Sequence, residues 1–293
     1  VAAKINIIFS LIIMSFNQKI IYTSFFVLVL IFGSSVWYYK KTHAPRPVSP
    51  ALKPEITITI IPGWNLRQVA QYLVKQGIAS STEDIYALTG KPAADYRRTG
   101  HLLPRMSTAS IVSYRPDYVS YEGYLAPETY RVFKDASLLD VLRKLIEQRD
   151  EEITPEIWAD IKKSGRSPHE IIIMASILEK EVQHSADKAK VADILWRRYD
   201  KNWALQVDSS VHYAIDKVGD IFTTGKERQV DSPWNTYKYP GLPLGPISNP
   251  GIDSILAAIS PEKNSYWYFL TGKDGSAYYA KTLEEHNANK IRL

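Results

Sequence analysis

Two glutamates at the end of an apolar helical segment are candidates for a proton donor. The segment of residues 167–182 opens with Ser-Pro-His-Glu, a helix start with a capping box. Apolar and small residues follow without a break, and charge returns at Glu179 and Glu181. A carboxyl group held at the edge of a core has a raised pKa, which suits a general acid. The alternative is that both glutamates mark the point where the helix meets solvent.

Helical geometry separates the two glutamates. Residues two apart on a helix point about 200° away from each other, so both cannot face one cleft. Glu179 shares a face with Ala175 and Ile172, which belong to the apolar run. The sequence therefore predicts that Glu179 is the acid at the edge of the core and that Glu181 lies on the solvent side.

Polar side chains suited to sugars follow further along the chain. Gln206 and Asp208 precede a predicted helix, although Asp208 could equally be its cap. Asn235, Tyr237 and Asn249 lie in a loop region whose many prolines and glycines restrict the backbone. Aromatic rings stack on the apolar faces of sugars, and amides pair with hydroxyl and acetamido groups. A purely structural crossover loop is the alternative.

Composition excludes several kinds of site. The chain has no Cys, which rules out thiolate nucleophiles and disulfides. Its six His lack metal-ligand spacing, so we predict neither a metal nor a cofactor. The net charge of +5 weakly favours an anionic partner. No run of basic residues is long enough to indicate binding to nucleic acid.

Residues 20–39 form an uncharged apolar segment of the length that crosses a bilayer as a helix. Aromatic residues and then Lys40 and Lys41 end it, and no cleavage site is apparent, so we predict an uncleaved anchor. Residues 1–19 are interpreted as a leader whose true start is Met14. The basic residues on either side of the span do not favour an inside N-terminus.

The elements beyond the anchor predict an α+β fold. A Pro-rich linker at 40–54 precedes an alternating segment at 55–60, which indicates a half-buried strand. Two short helices follow, and this order looks like a LysM-type glycan-binding module, assigned with its following loop to residues 55–120. A second domain at 121–293 is predicted to begin with a short strand within 121–130, continue with several helices and end in a hairpin and a helix.

Six motifs together resemble the endolytic murein transglycosylase (YceG-like) family. They are Glu122–Tyr130, Ala175–Glu181, Leu205–Asp208, Ser232–Tyr237, Gly241–Gly251 and Glu285–Asn287. Their order is that of the family, and the likeness extends over roughly residues 20–293. The sequence departs from the family's common residues at Ala126, Ser209, Ser210, Trp234 and Ala277. The departure at Ala277 weakens any role of that strand in the chemistry.

The resemblance implies cleavage of the β-1,4 bond between N-acetylmuramic acid and N-acetylglucosamine in nascent peptidoglycan strands. The product ends in 1,6-anhydro-muramic acid, and strand elongation stops. The resemblance maps the acid onto Glu179, which would protonate the leaving O4 and then accept the proton of the muramic 6-hydroxyl. Glu122, Gln206, Asp208 and Asn235 would position the sugars.

The same resemblance implies a cellular location and binding partners. The domain of residues 121–293 would lie outside the cytoplasmic (inner) membrane, facing the periplasm or the cell exterior. Glycan strands and the membrane are expected partners, and peptidoglycan synthases are candidate partners. Two alternatives stay open. One is a muramidase with two carboxylates, Glu179 and either Asp208 or Glu122; the other is a non-catalytic scaffold that binds the cell wall.

Overall fold

The computed structural model describes residues 16–43, 53–100, 103–219, 222–272 and 274–292. Met14, most of the predicted leader and most of the Pro-rich linker lie outside the described residues. The chain divides into two compact units, residues 1–52 and Lys53–Leu293. The candidate functional residues all lie in the second unit.

The described part of the first unit, residues 16–43, is a long apolar helix, α1 (Phe16–Thr42). Its segment Gln18–Thr42 has a mean hydropathy of 2.0 over its most apolar window, and none of that window is buried. A helix of 27 residues is about 40 Å long, more than the hydrocarbon thickness of a bilayer. By length and composition α1 could therefore cross a membrane.

The second unit combines helices with two small antiparallel sheets, as an α+β fold requires. Its helices are α2 (Leu66–Lys75), α3 (Thr82–Thr89), α4 (Leu138–Glu152), α5 (Pro155–Ser164), α6 (Pro168–Glu181), α7 (Ser185–Asp200), α8 (Asp208–Ile215), α9 (Ile252–Ile259) and α10 (Leu283–Arg292). Its strands are β1 (Glu55–Thr59), β2 (Thr129–Phe133), β3 (Tyr268–Thr271) and β4 (Ala277–Ala280).

The first sheet joins the two segments that the sequence assigned to separate domains. The order β1, α2, α3 is the predicted one, but β1 pairs antiparallel with β2, so that Ile58 lies opposite Tyr130. The strand expected within 121–130 begins only at Thr129. Gly123 has a φ of +84°, which breaks an extended strand, and Pro127 has no amide proton to donate to a ladder.

Helix α6 lies at the centre of the second unit. Ser167 caps it through the predicted capping box with Glu170, and every residue from Ile171 to Leu178 is at most 3% exposed. It packs against α7, α8 and α9, so it is covered on several sides, as a helix that is apolar all round must be. This rigid helix holds Glu179 and Glu181 at its C-terminal end.

Candidate active site

A cavity of about 1160 Å³ opens at the C-terminal end of α6. The start of α2, the end of α6, helices α8 and α10 and strand β3 all contribute to its wall. Four of the side chains considered above for the acid or for sugar binding line it: Glu181, Gln206, Asp208 and Tyr237. Within the described residues, His, Asp and Glu side chains form no group of three that could hold a metal ion.

Glu179 does not line this cavity. Its Oε2 accepts hydrogen bonds from Lys188 Nζ (3.1 Å), the Gly251 amide (3.1 Å) and Ser254 Oγ (2.5 Å). Its side chain is only 11% exposed, and it lies on the side of α6 that faces α7 and α9. The prediction that Glu179 faces the cleft is wrong in this geometry. The apolar run covers every side of α6, so periodicity could not tell which of its faces borders a cleft.

Glu181 occupies the place that was predicted for Glu179. Its Oε1 accepts hydrogen bonds from Ser209 Oγ (2.5 Å) and the Ser209 amide (3.3 Å), and its backbone carbonyl accepts one from Thr271 Oγ1 (2.7 Å). Burial raises the pKa of this carboxyl and the charge of Asp208 adds to the rise, while the bonds from Ser209 oppose it. A carboxyl that keeps its proton to higher pH suits a general acid.

Asp208 and Tyr237 form a hydrogen-bonded pair on the same wall. The Tyr237 hydroxyl donates to Asp208 Oδ1 at 2.7 Å, and Thr223 Oγ1 donates to the same oxygen. Arg228 Nη2 lies 3.8 Å from it. Burial, followed by the bond to Asp208, raises the pKa of Tyr237, so its phenol stays neutral. Asp208 is the first residue of α8, whose cap is Val207; the alternative of Asp208 as the cap is therefore wrong.

Gln206 combines exposure with an unusual backbone conformation. Its φ is +56°, in the left-handed region that residues other than glycine seldom adopt. The backbone amide of Gln206 donates to Thr236 O at 3.2 Å, and Arg198 Nη1 donates to the neighbouring Leu205 O at 2.7 Å. Such backbone strain persists where the surroundings hold it, and it is common at functional sites. The loop therefore presents the Gln206 side chain at the cavity.

Glu122 and Asn249 lie outside the cavity lining and hold the loops beneath it. Glu122 is 1% exposed and accepts the Leu66 amide at the start of α2 with both oxygens, at 3.0 and 2.9 Å. Burial raises its pKa to about 7, against the effect of the Leu66 hydrogen bond. Asn249 donates to Glu122 and accepts the amides of Gly123 and Leu125. The prediction that Glu122 and Asn249 contact sugars directly is therefore wrong in this structure, because their polar atoms already form hydrogen bonds with protein groups.

Asn235 has the same structural role in its own loop. It is 1% exposed; its Nδ2 donates to the carbonyls of Arg228 (2.9 Å) and Val230 (2.8 Å), and its Oδ1 accepts the Tyr237 amide (3.0 Å). The prediction that Asn235 contacts a sugar directly is likewise wrong in this structure, because these hydrogen bonds occupy its side chain. Asn235 orients Tyr237, which does line the cavity.

Several cavity residues were not predicted from the sequence. Arg198, His286 and Lys290 line the end of the cavity formed by β3 and α10. His286 lies in the Glu285–Asn287 motif, so its motif was a usable signal. Arg198 lies in a helix with several other charged residues, where nothing in the local pattern marks it as buried.

Comparisons with known proteins place the chain in a family. The model of the YceG-like family matches residues 39–292. The endolytic murein transglycosylase of Bacillus subtilis (strain 168) is 40% identical over 170 residues, covering 58% of this chain and 47% of that protein. The endolytic murein transglycosylase of Streptococcus pneumoniae (serotype 2, strain D39) is 26% identical over 266 residues, covering 85% of this chain and 46% of that protein. The chain thus spans about half the length of the curated relatives it matches.

A solved structure supports the same assignment. The crystal structure of a YceG-like protein from Listeria monocytogenes has a TM-score of 0.68 and 33% identity, covering 86% of this chain and 80% of that one. The family match, the relatives and the shared fold agree with one another. The chain is a member of the YceG-like family.

Proposed function

We propose that this protein is an endolytic lytic transglycosylase of peptidoglycan that needs no cofactor. The bond cleaved is the β-1,4 linkage from N-acetylmuramic acid to N-acetylglucosamine, and the new end is 1,6-anhydro-muramic acid. Cleavage within nascent strands would end their elongation. The observation that carries the proposal is the position of Glu181, a carboxyl whose pKa is raised by burial, in a cavity lined by polar and aromatic side chains. The names of the relatives support the substrate class.

Glu181, in place of Glu179, is the acid of this mechanism. Its protonated carboxyl gives a proton to O4 of the leaving sugar as the bond from C1 to O4 breaks. The carboxylate then accepts the proton of the muramic 6-hydroxyl, whose oxygen bonds to C1. Glu181 ends protonated again and no water is consumed. Ser209, which donates to Oε1, holds the carboxyl in place while Oε2 is left for substrate.

Gln206, Asp208 and Tyr237 are the proposed sugar contacts, since all three line the cavity. Asp208 fits a positioning role better than that of a nucleophile or base. Its Oδ1 accepts hydrogen bonds from Tyr237 and Thr223, and Arg228 lies nearby, so the carboxylate is already held by donors. The predicted LysM-like segment also supports glycan binding, because Asn65, Arg67 and Gln68 line the same cavity.

Product analysis separates this proposal from the two alternatives. Isolated glycan strands digested by the purified protein should yield fragments whose muramic ends are one water lighter than reducing ends, as mass spectrometry would detect. Reducing ends instead would identify the two-carboxylate muramidase. Strands that are bound but remain uncut would identify the wall-binding scaffold.

We propose further that α1 anchors the protein in the cytoplasmic membrane, with residues 53–293 on the outer side. The apolar composition of α1 supports the anchor, and the substrate class supports the orientation. There the protein would meet strands as peptidoglycan synthases release them, which makes these synthases candidate partners. Protease added to spheroplasts should digest residues 53–293. Full protection of that region, with digestion only after lysis, would contradict the orientation.

A further inference from the structure

The charges that line the cavity are unevenly distributed. The carboxylates among its described lining residues are Glu181, Asp208 and Asp216, which lie at the end of α6 and on or beside α8. Basic lining residues accompany them there: Arg67 pairs with Asp216, and Arg228 lies 3.8 Å from Asp208. The end formed by β3 and α10 carries Arg198, His286 and Lys290, and no acidic residue lines it within the described part of the chain. We call these three residues the basic end of the cavity. A neutral sugar has no need of such an arrangement, whereas an anionic group does.

Arg198 supplies a buried positive charge without a counter-ion. The residue is 5% exposed, and its guanidinium donates to the carbonyls of Leu205 (2.7 Å) and Trp267 (2.6 Å). No acidic side chain among the described residues forms a salt bridge with it. Burial lowers its pKa to about 10, so it is still a cation at neutral pH. Carbonyl groups satisfy its donors, and the Trp203 and Tyr268 rings lie 5.2 and 5.4 Å from the guanidinium, but no carboxylate among the described residues neutralises its charge.

His286 adds an unsatisfied polar atom beside this charge. Its ring stacks on Tyr268, with centroids 5.3 Å apart and planes 25° from parallel. Nδ1 is buried and has no hydrogen-bond partner among the described residues. Burial lowers the pKa of His286, and the charges of Lys290 and Arg198 lower it further. A buried polar atom without a partner is costly, so a ligand group that formed a hydrogen bond with Nδ1 would stabilise the bound state.

Lys290 lies one helical turn after His286 and so shares its face of α10. It is exposed, and no described acidic side chain is paired with it. The basic end therefore combines a buried cation held by two carbonyl groups, an imidazole that can donate or accept, and an exposed ammonium group. Lys290 can supply the charge-assisted hydrogen bond that suits a carboxylate, and Arg198 adds a fixed positive charge beside it.

We propose that the basic end binds a carboxylate carried by a side branch of the murein strand, either the lactyl group of muramic acid or the peptide attached to it. This inference rests on the proposed function. Strand β3 connects the basic end with the proposed acid. His286 stacks on Tyr268 at one end of the strand, and at the other end Thr271 Oγ1 donates a hydrogen bond to the backbone carbonyl of Glu181. Three residue steps in a strand span about 10 Å. The carboxylate thus lies at a neighbouring sugar position and away from the bond that is cut.

Kinetics of the full chain in detergent test the proposal with four substrates. These are peptide-bearing strands, strands stripped of peptides, and each of these with its carboxyl groups amidated. Amidation should raise the KM of the unaltered protein by about tenfold, the loss expected for a charged hydrogen bond. An effect of amidation on stripped strands indicates that the lactyl carboxylate is bound. An effect on peptide-bearing strands indicates that a peptide carboxylate is bound.

Variants assign the effect to the basic end. In the double variant His286→Gln, Lys290→Gln, we expect the KM for unmodified strands to rise about tenfold and kcat to change less. Amidation of the strands should then alter KM little. Arg292→Gln is the matched control, because Arg292 is exposed on the same helix and does not line the cavity. It should retain the full response to amidation.

A binding measurement keeps this test separate from that of the proposed function. In protein labelled at its histidine rings, N-acetylmuramic acid should shift the NMR signal that is missing in His286→Gln, and neutral N-acetylglucosamine should shift it much less. Equal shifts by both sugars, or equal KM values with and without amidation, would overturn the carboxylate subsite. If no strand is cleaved at all, the proposed function fails, while the NMR comparison still tests the subsite.

Discussion

Glu181→Gln is expected to lose about 10²–10⁴-fold in the rate of glycan-strand cleavage, the range typical of general acid–base catalysis. Glutamine keeps the shape of the side chain and an oxygen for Ser209, but its amide is not acidic enough to protonate the leaving O4. In the unaltered protein, cleavage should fall as the pH rises through the pKa of Glu181, since the acid form is lost. Burial raises that pKa, so the fall occurs at higher pH than for an ordinary glutamate.

Glu179→Gln is the matched control for this experiment. It changes the same residue type two positions away, but Glu179 contacts Lys188, Gly251 and Ser254 and does not line the cavity. Both purified variants should be assayed on one glycan substrate, with circular dichroism to confirm folding. Near-normal turnover by Glu181→Gln together with an inactive but folded Glu179→Gln would refute Glu181 as the acid and restore the assignment made from the sequence.

Lys188→Met is expected to lower the free energy of unfolding by about 3–5 kcal/mol, the cost of leaving a buried charge without its partner. The Lys188 side chain is 4% exposed and bonds both Glu179 (3.1 Å) and Asp253 (2.9 Å). Glu179, at 11% exposed, would bear most of the cost, since Asp253 is 43% exposed and can be solvated. For a unit of this size the loss corresponds to roughly 10 °C in Tm.

Lys190→Met provides the control for the stability measurement. Lys190 lies on the same helix and pairs with Glu262 at 3.8 Å, but both side chains are well exposed. Exposed pairs contribute at most about 1 kcal/mol, so this variant should unfold almost as the unaltered protein does. Thermal and urea unfolding would measure both variants. Equal stability of Lys188→Met and Lys190→Met would contradict a structural role for the buried pair of Glu179 and Lys188.

Local signals in the sequence determined the main elements. Ser167 and Glu170 define the start of α6 because a capping box needs only residues three apart. The apolar run to Leu178 predicts its burial, and Asp274-Gly275 predicts the turn that joins β3 to β4. The order of motifs was sufficient to predict the YceG-like family, because each motif is a short stretch of sequence.

Only the tertiary structure showed which polar side chains reach the cavity. Two side chains that both end in a carboxamide differ in role: Asn249 Oδ1 accepts the amides of Gly123 and Leu125, whereas Gln206 is exposed at the cavity wall. Which side of α6 borders the cavity depends on α8 and β3 packing near Glu181 and on α7 and α9 packing over Glu179. These contacts join residues distant in sequence, so no local periodicity encodes them.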